Sequence, residues 1–272
     1  MNLYTKPYVD PIAGSESQQA LDIAEPTRAA SDTALFYVHG GGWYTSGREI
    51  YHGHLNYFSE KGHVCASAGY RTGEGTRLAD KMQDVVVGYD RFVAELRSRW
   101  PHVTKVVVTG SSAGAHLTSL LALSDPLDWV RAEHLSTEWL KPAGCISVNG
   151  PGTLVRWPDM NESIKRTIER LVGASYEDES AAEMFRLASP DAYVNSESPP
   201  FLFIIVGHEH FFPHETIYRL SDLLLEHGKT SLVVMYPQAK HGFFYSVATP
   251  TQKLAVAQME TFIDWIQTRC DG

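Results

Sequence analysis

Three cysteines in 272 residues, Cys65, Cys145 and Cys270, make an odd count with no paired spacing, so no disulfide framework is implied. Cys65 and Cys145 fall inside apolar runs and read as small core residues. No run of about 18 apolar residues occurs, and Met1 to Gly14 lacks a basic start followed by an apolar stretch. The expectation is a soluble, cytoplasmic chain without a membrane partner. Clusters of lysine and arginine are also missing, and the formal net charge is -9. That composition argues against nucleic acid, whose phosphates must be neutralised by basic side chains. No Pro/Gly/Ser-rich or charge-rich stretch would serve as a linker, and no segment repeats. Residues 1–272 are therefore read as one domain, a size that α/β folds accommodate in a single core.

What is present is an alternation of strand and helix. Short apolar runs bounded by Gly or Pro occur at 34–38, 63–69, 105–109, 143–148, 201–206 and 231–236, the pattern of strands buried on both faces of a parallel sheet. Between and after them, Met82, Val85, Val86, Tyr89, Phe92, Val93 and Leu96 recur at helical spacing, as do Leu254, Ala257, Met259, Phe262, Ile263 and Ile266. The pattern predicts an α/β fold with a doubly wound, mostly parallel sheet. One or two antiparallel edge strands are expected from the first forty residues, with Gln19 to Asp22 the leading candidate. Residues 150–190 break the alternation with a loop carrying Trp157 and Met160, a helical run Asn161 to Val172, and a short helix at Ala181 to Leu187. An insertion after the strand at 143–148 falls at the carboxyl end of the sheet and reads as a small lid, with an elongated crossover helix as the alternative.

Two motifs carry the chemistry. Gly110-Ser111-Ser112-Ala113-Gly114 follows the run Val106-Val107-Val108 and opens an apolar helix, the setting in which Gly-x-Ser-x-Gly makes a nucleophile elbow. Ser112 is the candidate nucleophile. About seventy residues upstream, Leu35-Phe36-Tyr37-Val38 runs into His39-Gly40-Gly41-Gly42-Trp43, a glycine-rich loop of the kind that supplies oxyanion-hole amides. The amides of Gly41, Gly42 and Ala113 are the candidate donors. Near the end, His241-Gly242-Phe243 follows the last apolar run, and the order serine then histidine makes His241 the candidate general base.

On these residues, together with Tyr70-Arg71, Asp84, the run Ser112 to Leu117, Ser189-Pro190 and Pro199-Pro200-Phe201-Leu202, the chain resembles the α/β-hydrolase superfamily. Within it the resemblance is to small esterases of the hormone-sensitive-lipase and acetyl-esterase group and to kynurenine formamidase. Ser-Ala-Gly-Ala-His-Leu resembles the formamidase version; three glycines before Trp43 resemble the esterase version. The resemblance implies an α/β-hydrolase fold, no cofactor and a small-molecule ester or amide as partner.

The chain departs from that family at the acid. Where relatives read Gly-x-x-Asp followed by a proline, this sequence reads Gly207-His208-Glu209-His210-Phe211-Phe212-Pro213. His210 stands at the aspartate position, and a histidine lacks the negative charge that orients the base and stabilises its imidazolium. Glu209 is the preferred replacement, then Glu215, then Asp191. The crowding of His208, His210 and His214 with Glu209 and Glu215 also raises a metal reading, which ranks below solvated loop residues because neighbours on a turn point in different directions. No metal is expected.

Aromatic residues flank all three loops. Trp43, Trp157 and Phe243 are the candidate substrate-binding residues, forming a flat apolar wall for an aromatic or medium-sized apolar group. Fewer than forty residues precede the glycine loop, too few for the N-terminal helical cap of larger lipase-like relatives, so a short acyl group is expected. The leading reading is a serine carboxylic-ester hydrolase working through an acyl-enzyme intermediate. A kynurenine-formamidase-like amide hydrolase is its nearest rival, and a hydrolase-fold protein with a binding or non-hydrolytic role is the alternative of another class.

Overall fold

The computed structural model describes residues 2–9, 18–28, 30–136 and 138–269. Cys270 lies outside them. Among the described residues eight strands form one sheet: β1 (Asn2–Pro7), β2 (Ala20–Glu25), β3 (Thr33–Val38), β4 (Cys65–Ala68), β5 (Lys105–Ser111), β6 (Gly144–Val148), β7 (Phe201–His208) and β8 (Ser231–Lys240). Their spatial order is β1-β2-β4-β3-β5-β6-β7-β8. From β4 onward every pairing is parallel, whereas β1 on β2 and β2 on β4 run antiparallel. Both strands from the first forty residues are thus present, and the one predicted at Gln19 to Asp22 runs Ala20–Glu25.

The α-helices that accompany the sheet are α1 (His52–Glu60), α2 (Leu78–Arg99), α3 (Ala113–Leu123), α4 (Glu162–Val172), α5 (Ala182–Leu187), α6 (His214–Glu226) and α7 (Pro250–Thr268). The side-chain alternation of the strands divides the core in two. Phe36, Val38, Val106, Val108, Phe201 and Phe203 face α2, α3 and α6, with Val85, Leu117 and Leu220 in the same cluster. Leu35, Tyr37, Val107, Ile146, Leu202 and Ile204 face α1 and α7. Cys65 and Cys145 are free and buried, and burial pushes the Cys145 thiol up to about 12. These thiols are packing atoms.

The topology places the chemistry. Chain order reverses between β3, which leads to β4 on one side, and β5, which starts the progression on the other. Ligands of open α/β sheets bind at such a switch point, outside the carboxyl ends of the strands. Val38 pairs with Gly110 there, so the glycine loop and the nucleophile elbow leave adjacent strands side by side.

One strand differs from its expectation. The run at 231–236 forms β8, but it is the last strand of the sheet and most of it is exposed. Leu232 and Met235 are 48% and 40% exposed. A strand with one neighbouring strand is flanked along one edge only, and an apolar run cannot report how many neighbours it has.

Residues 150–190 pack onto the glycine loop. Asn161 caps α4, its Oδ1 accepting the amides of Ser163 at 2.8 Å and Ile164 at 3.3 Å. Gly173 closes it with φ of 84°, a left-handed turn that glycine adopts without a Cβ penalty. Arg170 on α4 lies 3.8 Å from the centre of the Tyr44 ring, and Lys81 Nζ stands 4.5 Å from the same ring. Tyr44 follows Trp43 directly, so Arg170 ties the insertion, and Lys81 ties α2, to the loop expected to hold the oxyanion.

Candidate active site

Ser112 sits between β5 and α3 with φ of 57° and ψ of -123°. A non-glycine residue at positive φ stores strain, and such strain clusters at functional sites. Two glycines permit it. A Cβ at Gly114 would stand 2.0 Å from the Val38 carbonyl oxygen, and one at Gly110 would stand 2.5 Å from the Gly114 carbonyl carbon. The Ser112 amide donates to the carbonyl of Val148, 2.8 Å away at the end of β6. That bond pins the elbow to the adjacent strand.

His241 follows β8 and reaches back over the sheet edge. Its Nε2 lies 2.9 Å from Ser112 Oγ, and its Nδ1 lies 2.7 Å from Glu209 Oε2. The second carboxylate oxygen, Oε1, accepts the backbone amides of His210 and Phe211, each at 2.9 Å. Burial raises the Glu209 carboxyl, but hydrogen bonding and charge from His241, with the two loop amides, outweigh it and hold the group below its ordinary value. The carboxylate thus stays ionised beside the base, one residue before the position where the family motif carries it. The other candidates lie elsewhere. His210 is exposed, Glu215 is exposed in the first turn of α6, and Asp191 Oδ2 faces Arg219 Nε at 3.6 Å.

The glycine loop is held from behind. Tyr70 donates its hydroxyl to the carbonyls of His39 at 3.1 Å and Gly40 at 3.3 Å, and its ring stacks on His39 at 4.2 Å. Arg71, next in the chain, is fixed by Asp84, with Nε 2.8 Å from Oδ2. Gly41, Gly42 and Trp43 then take φ of 98°, 57° and 67° in succession. The Gly41 carbonyl accepts the amides of Tyr44 and Thr45 at 3.1 and 3.0 Å. A Cβ on Gly41 would stand 2.2 Å from the Thr45 carbonyl oxygen, whereas one on Gly42 meets nothing within 4 Å. Among the described residues no hydrogen bond occupies the amides of Gly41 or Gly42. Ala113 opens α3, where a helix leaves its first amides without intrahelical partners.

Of the three expected substrate-binding residues, Trp43 and Trp157 share one side of the sheet and Phe243 lies on the other. Trp43 is only 1% exposed and donates its indole N–H to His116 Nδ1 at 3.2 Å. His116 Nε2 lies 2.8 Å from the Ala188 carbonyl. Burial lowers this histidine to about 4, so a neutral imidazole links the glycine loop, α3 and the end of the insertion. Trp157 lies in the insertion, 6.3 Å from Phe212. Phe243 joins neither of them, which corrects the expectation of a shared wall. It packs at 5.7 Å on Tyr236 and 5.9 Å on Phe244, on the α1 and α7 side of the sheet, because the chain has already turned past the base. Phe212 takes the central place instead, 6.3 Å from Trp43 and 6.0 Å from His241. In the sequence Phe212 is one aromatic among several beside the catalytic loops; the signal that singles it out is tertiary.

Two groups of the acid loop have separate partners. His214 Nε2 lies 2.8 Å from the Val206 carbonyl, and Glu209 is engaged with His241. Among the described residues no group of three His, Cys, Asp or Glu side chains is placed to hold a metal ion. None of their helices is long and apolar enough to cross a membrane.

Esterase LipQ of Mycobacterium tuberculosis is 28% identical over 260 residues, covering 92% of this chain and 59% of the relative. The probable carboxylic ester hydrolase LipM of the same organism is 25% identical over 214 residues, covering 77% of this chain and 49% of the relative. The chain therefore spans between about half and three fifths of the length of these curated relatives. Among solved structures, the Thermogutta terrifontis esterase Est2 with butyrate bound superposes with a TM-score of 0.79 at 20% identity, covering 99% of this chain and 96% of the other. The same organism's esterase 2 phosphorylated by paraoxon gives 0.75 at 20% identity, with 99% and 96% covered. These likenesses establish the α/β-hydrolase fold. The BD-FAE family model matches residues 21–224, three quarters of the chain, and the protein belongs to that family.

Proposed function

We propose that the chain is a serine carboxylic-ester hydrolase acting on a short-acyl ester of a small molecule. The observation that carries this reading is the hydrogen-bonded line from Ser112 Oγ through His241 to Glu209, at 2.9 and 2.7 Å. In the proposed mechanism His241 Nε2 takes the Ser112 proton as Oγ attacks the ester carbonyl. The amides of Gly41, Gly42 and Ala113 receive the developing oxyanion. His241 then passes the proton to the departing alkoxide, leaving an acyl-enzyme. Water, deprotonated by the same imidazole, releases the acid. Glu209 holds Nδ1–H and stabilises the imidazolium. No cofactor enters this scheme.

Residues 150–190 act as a lid within one domain spanning 1–272; their contacts with the glycine loop and Phe212 support that role. The esterase names of the mycobacterial relatives favour an ester over an amide. The non-hydrolytic alternative drew on the histidine at the usual acid position, and Glu209 beside the base removes that ground. Two buried unpaired thiols are compatible with a reducing compartment, and a cytoplasmic location is part of the proposal. The test is turnover of p-nitrophenyl acetate and butyrate beside a formyl-anilide, with fluorophosphonate labelling. Ser112→Ala should lose label and roughly a millionfold in kcat, on the serine-protease precedent. Equal ester turnover by both proteins would overturn the reading.

A further inference from the structure

We infer that Phe212 is the specificity-determining residue that limits the length of the acyl chain. The inference rests on the proposed esterase reading. Phe212 is 6% exposed, and its ring stands 6.0 Å from His241, 6.3 Å from Trp43 and 6.3 Å from Trp157. The base loop, the glycine loop and the insertion therefore converge on one side chain. Any substituent that leaves the reacting carbon toward that convergence meets its ring.

The two aromatic residues of the acid loop lie in different surroundings. Phe211 packs edge-on against His241 at 4.7 Å and is 42% exposed. The alcohol must leave and water must enter while the acyl group remains on Ser112, so the exchange belongs on the open side, near Phe211. The retained acyl group belongs on the closed side, against Phe212. Trp43 backs that side rigidly, because its indole is held by His116. A chain that outgrows the space must displace a buried ring rather than extend into solvent.

The shift of the acid to position 209 gives this wall its register. Both the His210 and Phe211 amides turn toward Glu209 Oε1, so the same short turn that orients the base also sets where Phe212 enters the core. A wall built on a backbone-anchored turn holds its position, and one methylene too many against an apolar wall changes discrimination by roughly 10–200-fold.

The experiment measures kcat/KM for p-nitrophenyl acetate, butyrate, hexanoate and octanoate with wild type, Phe212→Leu, Phe212→Ala and Phe212→Trp. The octanoate-to-acetate ratio should rise at least about tenfold in Phe212→Ala, less in Phe212→Leu, and the butyrate-to-acetate ratio should fall in Phe212→Trp. Fluorophosphonate labelling of Ser112 should persist in all folded variants. If Phe212→Ala fails to fold, the Leu and Trp variants still decide the matter through opposite shifts. Unchanged ratios with acetate turnover and labelling intact overturn the inference and leave the esterase reading standing. Absence of ester turnover and labelling in wild type overturns both.

Discussion

Replacing Glu209 by glutamine exchanges one oxygen for an NH2 group and should nearly stop the proposed ester turnover, for a reason visible in the hydrogen bonding. Glu209 Oε1 accepts two backbone amides at 2.9 Å, and Oε2 faces His241 Nδ1 at 2.7 Å. A glutamine has one carbonyl oxygen, and two converging N–H donors select it for the Oε1 position. Its NH2 group must then face Nδ1 and demand an acceptor there. The imidazole proton moves to Nε2, where it points at Ser112 Oγ and cannot accept the serine proton. The neutral amide also fails to stabilise an imidazolium. In a serine hydrolase the corresponding wrong-tautomer substitution lowers kcat by about 10⁴, equivalent to roughly 5.4 kcal/mol of barrier at about 1.36 kcal/mol per tenfold. His210 offers the site only its backbone amide, so His210→Ala should stay within about twofold, inside the roughly 0.5 kcal/mol typical of ordinary surface substitutions. The assay is kcat/KM on a p-nitrophenyl ester, with circular dichroism to verify folding. Glu209→Gln activity within about tenfold of wild type, or a larger loss in His210→Ala, would refute the proposed acid.

Two further outcomes are expected. Gly41→Ala should cost about 10²–10³ in kcat, because the new Cβ meets the Thr45 carbonyl at 2.2 Å and displaces the proposed oxyanion donors, whereas Gly42→Ala meets open space and bears about 1–2 kcal/mol of left-handed strain; equal kcat losses, read on one ester, would contradict the loop assignment. Burial lowers His39, His54 and His116 from 6.5 to about 4, about 3 and about 4, so the unfolded chain binds more protons below pH 6.5 and stability present above that pH is lost toward pH 4. The slope approaches roughly 4 kcal/mol per pH unit for three groups, readable as a falling urea midpoint, and a midpoint flat from about pH 7 to 5 would refute it.

Much of this protein is local chemistry and therefore legible in one chain. The elbow at Ser112 and the turn at Gly41 demand residues without a Cβ at fixed offsets, and those offsets are written in the sequence. Helix and strand periods are local too, which is why α2, α7 and the parallel strands lie where the apolar spacing puts them. Glu209 ranks first in the sequence because it shares a short loop with the missing aspartate, but its contact with His241 spans 32 positions and depends on how β7 and β8 deliver their loops. Other features were decided only by packing. Phe243 and Phe212 are equally aromatic and equally near a catalytic loop, yet the chain turns one to the far face of the sheet and the other into the junction of Trp43, Trp157 and His241. The apolar run of β8 likewise resembles the central strands, and its exposure follows from standing last in the sheet. Sequence specifies what each segment prefers to be; which neighbours meet it is set by the closing of the whole sheet, where contacts between residues far apart in the chain decide burial.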